Sequence, residues 1–317
     1  MKLVKPLSAI LSFSLLFASI GNCTNTLGLG EPAEIPRDER TLKEMELLAR
    51  RFLSKQKPGF SEDEFLRREI ERFEKRCPGV FIVNPETVKN MDHYLLAKNL
   101  HCINDVFDRY PNATTYFISN LQQTHDKFEI DIFSDHAFAA FEYKMDKAET
   151  TYWEPKIYFN PYFYRPIEGI PAIGVHAYQI QQNINQEHFS PVDEEHIPEK
   201  IPLHEMGHWF ELNDPFLPIC HTINKESIRF GLDPLVHISP IIAKQRAIKI
   251  NILMIARDKY GCKGPWSISK YNKLDDGDWF AELFSYALGS RDANILRRAM
   301  LDWLKQEDEK IGQLLVP

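Results

Sequence analysis

The sequence His204-Glu205-Met206-Gly207-His208 contains the residue types that hydrolytic zinc sites use. On an α-helix, residues four apart project from nearly the same face, so the two histidines can reach one metal ion. Glu205 lies about 100° round the helix, where its carboxylate can hold a water molecule instead of the metal. The motif therefore predicts zinc-assisted hydrolysis with Glu205 as general base. The alternative is a chance match, which weakens if the remaining zinc ligand can be identified.

A third protein ligand is expected, because hydrolytic zinc sites take three and keep the fourth position for water. Glu211 shares the histidine face, but three side chains in one column spread over about 10 Å and cannot converge on one ion. Asp214 has the spacing of a metzincin-like ligand, but Glu211 occupies the place of the glycine that would turn the chain back. Two further histidines lie in proline-rich segments, where solvation is the usual state: His221 and His237.

A better candidate lies in the segment Asp275–Phe284. Acidic capping residues begin this segment, which predicts a helix that continues to Leu288 and stops at Gly289. Asp278 and Glu282 are four residues apart and share one face, where a cation would relieve their repulsion. A solvated acidic face is the alternative, but the two-histidine motif elsewhere in the chain favours a metal ligand.

Hydrophobic periodicity predicts an α+β fold with a small group of strands between helical regions. Helices are predicted at 40–55, 61–75, 91–110 and 241–259, the last with a solvated basic face. Strands are predicted at 80–83, 127–133, 138–143, 156–160 and 173–180, with a turn after Pro111. The chain after His204 is expected to be mainly helical.

The N-terminus predicts export. Lys2 and Lys5 precede the apolar run Ala9–Gly21, which is typical of a signal peptide and too short to span a bilayer. The sequence Ile20–Cys23 also resembles a bacterial lipobox, so simple secretion and lipidation of Cys23 both stay open. Lipidation would be the chain's only attachment to a membrane.

Three regions are predicted along the chain. Residues 1–22 form the signal peptide, and residues 23–58 a tether and helix. Residues 59–317 form the catalytic domain, which is α/β to about residue 210 and helical after it. At 317 residues the chain can bury a full-sized core.

The net charge and the cysteine content limit the classes of binding partner and the cellular compartment that we expect for this protein. A net charge of −7 argues against nucleic acid as a partner and leaves protein, peptide or small-molecule substrates. After the signal region, an even number of cysteines remains for an oxidising compartment. The expected disulfides are Cys77–Cys102 and Cys220–Cys262. None of these cysteines has C-x-x-C spacing, so none is assigned to a metal.

The segment Asp278-Trp279-Phe280-Ala281-Glu282, taken with the two-histidine motif, resembles the zinc helices of gluzincin-type peptidases. The similarity is to the anthrax lethal factor catalytic domain and the clostridial Pro-Pro endopeptidases, and it covers two short motifs in the last third of the chain. It implies a zincin-like fold, with a small mixed sheet beside the active-site helix and a largely helical C-terminal part. In that family the first acid binds the single zinc ion and the second supports the site from behind.

The same resemblance implies a role for Tyr271, which lies seven residues before Asp278. A tyrosine at that spacing donates a hydrogen bond to the tetrahedral intermediate in the family. One departure is that the family's first acid is glutamate. Asp278 is one methylene shorter, so either the helix approaches closer or Glu282 takes over coordination. We favour Asp278. A second departure is the 70-residue interval from His208 to Asp278, which predicts a disulfide-stapled insertion.

The function implied is that of an exported, monomeric zinc endopeptidase in which Glu205 transfers the proton and Tyr271 supports the oxyanion. The strand at 157–160 is expected to align an extended peptide by edge pairing. Two alternatives stay open: a non-catalytic zincin-fold binding protein, and a zinc hydrolase of a non-peptide amide. The intact Glu205 argues against the first, and the absence of wall-binding repeats gives the second no support.

Overall fold

The structure is a computed structural model that describes residue 35 and residues 37–56, 59–133, 137–145, 152–216, 220–233, 240–270 and 276–315. The expected signal peptide, Cys23 and Tyr271 lie outside these residues. The helices are α1 (Glu39–Leu53), α2 (Glu62–Lys75), α3 (Pro85–Asn90), α4 (His93–Arg109), α5 (Pro111–Thr124), α6 (Ala172–Asn185), α7 (Lys200–Asn213), α8 (Cys220–Arg229), α9 (Pro240–Asp258), α10 (Asp276–Gly289) and α11 (Ile295–Leu314). The strands are β1 (Phe81–Val83), β2 (Phe128–Ile132), β3 (Ala139–Met145) and β4 (Tyr152–Phe159), and 3₁₀ turns cover Pro161–Tyr164 and Glu194–Glu199.

The fold is α+β, with one small mixed sheet in the order β1-β2-β4-β3. β1, β2 and β4 are parallel, and β3 runs antiparallel to β4. Because β4 pairs with β2 on one side and β3 on the other, neither of its edges is open. The expectation that residues 157–160 align a peptide by edge pairing is therefore wrong, and β3 is the edge strand on that side of the sheet.

Most predicted elements are confirmed, but two segments differ. Residues 173–180 form part of α6 instead of a strand, because a short buried apolar run does not distinguish the two structures. Gly174 lets α6 pack closely on α1, since a Cβ at this position would lie 2.4 Å from the Met45 carbonyl oxygen. The turn expected after Pro111 is instead the first turn of α5, where proline's missing N–H is tolerated.

Helix α7 lies at the centre of the core and is buried along its whole length. Trp209 packs its ring 4.9 Å from Phe107 and 5.6 Å from Phe117, on the side of the sheet. Phe210 packs 6.0 Å from Phe284 and 5.9 Å from Trp303, in the C-terminal helices. Two adjacent residues thus join α7 to both halves of the protein.

The cysteines are not cross-linked in the described part of the chain. Cys77, Cys102 and Cys262 carry free thiols, so neither expected disulfide is formed in this structure. Cys77 and Cys102 are both buried, and burial raises the pKa of the Cys102 thiol well above its ordinary value. The pairing stays a prediction for the protein in an oxidising compartment. Among the described residues, no helix combines the length and apolar character needed to cross a bilayer.

A buried carboxylate joins α2 to α4 and makes stability depend on pH. Glu69 accepts hydrogen bonds from Asn104 and Arg72 and contacts His101 at 3.3 Å. Burial raises the pKa of Glu69, but the hydrogen bonds from His101 and Asn104, with the His101 charge and Arg72, outweigh burial and hold the pKa at about 2. Because this lies below the ordinary value of 4.5, Glu69 stabilises the fold above pH 4.5, and this contribution is lost as the pH falls toward 2.

We therefore expect Glu69→Gln to lower the free energy of unfolding by about 1–3 kcal/mol at about pH 6 and by roughly half as much at about pH 3. Urea unfolding at both pH values measures the difference. Glu71→Gln is the matched control, because Glu71 forms an exposed ion pair with Arg67 on the same helix. An equal loss for Glu69→Gln at both pH values would contradict the prediction.

Candidate metal centre

Helix α7 brings the two histidines of the motif together. His204 Nε2 and His208 Nε2 lie 3.2 Å apart, and both side chains are buried. Burial lowers the pKa of His208 well below its ordinary value, and the neighbouring His204 ring lowers it further. His208 is thus a neutral imidazole whose Nε2 points at its neighbour's Nε2. The neutral form is the one that binds metals.

Helix α10 supplies the third group. Asp278 is fully buried, and its Oδ1 lies 3.9 Å from His208 Nε2. One ligand atom from each of His204, His208 and Asp278 lies within 4.8 Å of the others, which makes a group able to hold a metal ion. Among the described residues this is the only such group.

The close approach of α10 to α7 depends on Gly207, the fourth residue of the histidine motif. A Cβ at Gly207 would lie 2.7 Å from Ala281 Cα, a separation that real Cβ atoms essentially never show, and a tight 3.1 Å from Phe284 Cβ. The glycine therefore lets the two backbones touch. The contact brings Asp278 of α10 beside the histidines of α7, with its Oδ1 3.9 Å from His208 Nε2.

Glu282, the second acid of α10, does not belong to the metal-binding group. Its Oε1 lies 3.1 Å from His204 Nδ1, and its Oε2 accepts a hydrogen bond from the Ser190 backbone N–H at 2.7 Å. The ammonium of Lys200 lies 3.1 Å from both oxygens. Burial raises the pKa of Glu282, but the Lys200 charge and the His204 hydrogen bond outweigh it and hold the pKa at about 2. Glu282 is thus an ionised acceptor behind His204.

The three converging residues fit a tetrahedral ion. Two donor atoms, each about 2.0–2.1 Å from tetrahedral zinc, lie about 3.3 Å apart. The observed separations of 3.2 Å between the imidazoles and 3.9 Å from imidazole to carboxylate are close to that value. Two imidazoles and one carboxylate are also a donor set that catalytic zinc sites use.

Glu205 lies between α7 and the edge strand. Its carboxylate is buried and accepts a hydrogen bond from the Phe141 backbone N–H on β3. Burial raises the pKa of Glu205 to about 7, although the His204 charge and the Phe141 hydrogen bond act in the opposite direction. A carboxylate with a pKa near neutrality can both accept and return a proton.

The other candidates from the sequence lie elsewhere. Glu211 and Asp214 are buried but do not belong to the metal-binding group. Burial raises the pKa of Asp214 to about 6, and its carboxylate accepts a hydrogen bond from the Phe216 backbone N–H. The side chain of His221, all of His237 and all of Tyr271 lie outside the described residues.

Helix α9 contributes cations that the sequence analysis assigned to solvent. Lys244 and Lys249 are buried, so the predicted solvated basic face is wrong for these two residues. Lys244 donates to the carbonyl oxygens of Leu212 and Asp214 at the end of α7. Lys249 donates to Asp276 at 2.9 Å, at the first residue of α10. Helix α9 therefore holds the C-terminal end of α7 and the N-terminal end of α10.

Lys200 is the most informative residue that sequence reasoning missed. It precedes His204 by four residues and so shares its helix face, a spacing that the sequence already displays. The apolar surroundings of the motif hid its role, because a lysine there is expected to reach solvent.

Comparisons of the chain with protein-family models, with curated proteins and with solved structures found no match.

We expect Gly207→Ala to destabilise the protein by about 1–3 kcal/mol, because the added methyl group must push α7 and α10 apart. Thermal or urea unfolding measures the loss. Gly312→Ala is the matched control in α11, where the new Cβ would meet the side chain of Asn112, which can move. An equal effect of the two substitutions would argue against a specific role of the helix contact.

Proposed function

We propose that this protein is a zinc-dependent endopeptidase. The proposal rests on one observation: His204, His208 and Asp278 converge from two helices while Glu205 stands beside them. The three residues would hold the ion, and the zincin-like character inferred from the two motifs accords with the small mixed sheet beside α7. Export to the cell surface or the medium remains part of the proposal.

Glu205 is the proton carrier in the proposed reaction. When bound, Zn²⁺ would lower the pKa of a water molecule and polarise the substrate carbonyl. Glu205 accepts a proton from the attacking water, whose oxygen adds to the carbonyl carbon. The carboxyl group then returns that proton to the amine nitrogen as the C–N bond breaks. Tyr271, if it acts as the resemblance implies, donates a hydrogen bond to the oxygen that becomes negative.

The edge strand β3 supports a peptide substrate over a small amide. Its Phe141 N–H donates to Glu205, so this strand runs past the general base. An extended peptide that pairs with β3 would place its backbone carbonyl groups beside the metal-binding group. A non-catalytic binding protein would not need Glu205 in this position.

We expect Glu205→Gln to keep its metal and its fold but to lose at least about 100-fold in peptide hydrolysis, because the amide cannot accept the proton. Cleavage of a proteome-derived peptide library, with and without a chelator, measures the loss. Glu211→Gln is the matched control, since Glu211 is a buried glutamate on the same helix outside the metal-binding group. Hydrolysis that persists in Glu205→Gln would overturn the catalytic proposal.

We expect Asp278→Asn to lose stoichiometric zinc, because a neutral amide replaces the charged ligand. Metal analysis after dialysis against a weak chelator gives the occupancy. Asp214→Asn should keep its zinc, since Asp214 is a buried aspartate outside the metal-binding group. Full zinc content in Asp278→Asn would remove this residue from the ligand set.

A further inference from the structure

Lys200 is a fully buried ammonium in the first turn of α7. It donates to Ser190 Oγ at 2.7 Å, to Ser285 Oγ, and to Glu282, whose two oxygens both lie 3.1 Å away. Its acceptors thus come from the loop before α7 and from α10. A charge this deep is stable only when it is paired and hydrogen-bonded, and these contacts meet both conditions.

The contacts of Glu282 decide which way this carboxylate faces. Lys200 holds both oxygens, the Ser190 N–H holds Oε2, and His204 Nδ1 lies against Oε1. Of these partners only His204 belongs to the group of His204, His208 and Asp278. It contacts Glu282 through Nδ1 and faces His208 through Nε2. A histidine whose Nδ1–H donates to a carboxylate has its tautomer and ring orientation fixed, with Nε2 left to bind a metal.

We propose that Lys200 is a positioning residue of the metal centre, which acts on His204 through Glu282. The ammonium anchors the Glu282 carboxylate between Ser190 and His204, and this carboxylate holds the His204 ring with Nε2 turned toward His208. Asp278 is then left as the acid that completes the ligand set. The inference rests on the proposed metal site, and it assigns the two acids of α10 to different tasks.

A purely stabilising ion pair would behave differently. Loss of Lys200 would then weaken the fold without a specific effect on the metal. In the proposed role, its loss lets the Glu282 carboxylate turn, and the His204 ring loses its fixed acceptor. Partners of metal-binding histidines typically contribute about 10- to 100-fold to metal affinity.

The test is a double-mutant cycle of Lys200→Met and Glu282→Gln, read by titration of the metal-free protein with Co²⁺. Competition with a chelator gives the affinity, and the d–d absorption bands report the ligand geometry. We expect each single variant to bind Co²⁺ about 10- to 100-fold more weakly with altered bands. We expect the double variant to bind no more weakly than Glu282→Gln alone, because Lys200 acts only through Glu282.

Lys98→Met is the matched control, because half-buried Lys98 forms another lysine–glutamate pair, with Glu199, and neither residue belongs to the metal-binding group. It should keep the wild-type affinity and bands. If Lys200→Met does not fold, Lys200→Gln keeps a hydrogen-bond donor without the charge and should weaken Co²⁺ binding in the same direction.

Wild-type affinity and bands in the Lys200 variant, or effects that add fully to those of Glu282→Gln, would overturn the proposal. Failure of the wild-type protein to bind Co²⁺ or Zn²⁺ would overturn the metal site itself.

Discussion

The backbone contact between Gly207 and Ala281 sets the geometry on which the rest of the site depends. With no side chain at Gly207, α7 and α10 approach until their backbones touch. This separation allows Asp278, with its short side chain, to come within 3.9 Å of His208. It also places Glu282, one turn later, against the far nitrogen of His204. A wider spacing would leave either acid short of the imidazole that it contacts.

Burial of this much charge requires balance, and the fold places cations beside two acids of α10. Lys200 faces Glu282 inside the centre, and Lys249 with Arg246 holds Asp276 at the start of α10. At the end of α7, Lys244 takes up carbonyl groups that have no partner within the helix. Because the interior screens poorly, each of these pairs interacts strongly, and removal of one member leaves a costly charge behind. The polar groups around the site are thus a framework that fixes both helices.

Local patterns predicted the parts of the site that lie within single helices. The spacing of His204 and His208, and that of Asp278 and Glu282, follows from helical periodicity alone. The order of the strands does not, because it depends on partners far apart in sequence, so β4 was expected to be an edge and is internal. The burial of Lys244 and Lys249 was missed for the same reason. An amphipathic pattern within one helix does not reveal that acids and carbonyl groups of other helices lie beside its lysines. The predicted division near residue 210, between an α/β part and a helical part, falls inside α7.

The position of α7 between the two halves of the protein affects how the protein unfolds. Trp209 packs on Phe107 in the first half of the chain, whereas Phe210 packs on both Tyr110 in the first half and Phe284 in the second. The same helix therefore covers aromatic side chains of both halves. Cleavage of the chain on either side of α7 would leave one fragment with exposed aromatic side chains. We therefore expect the two halves to unfold together. His204 and His208 of the candidate metal centre lie on this helix, so a loss of packing on either side of it would displace them.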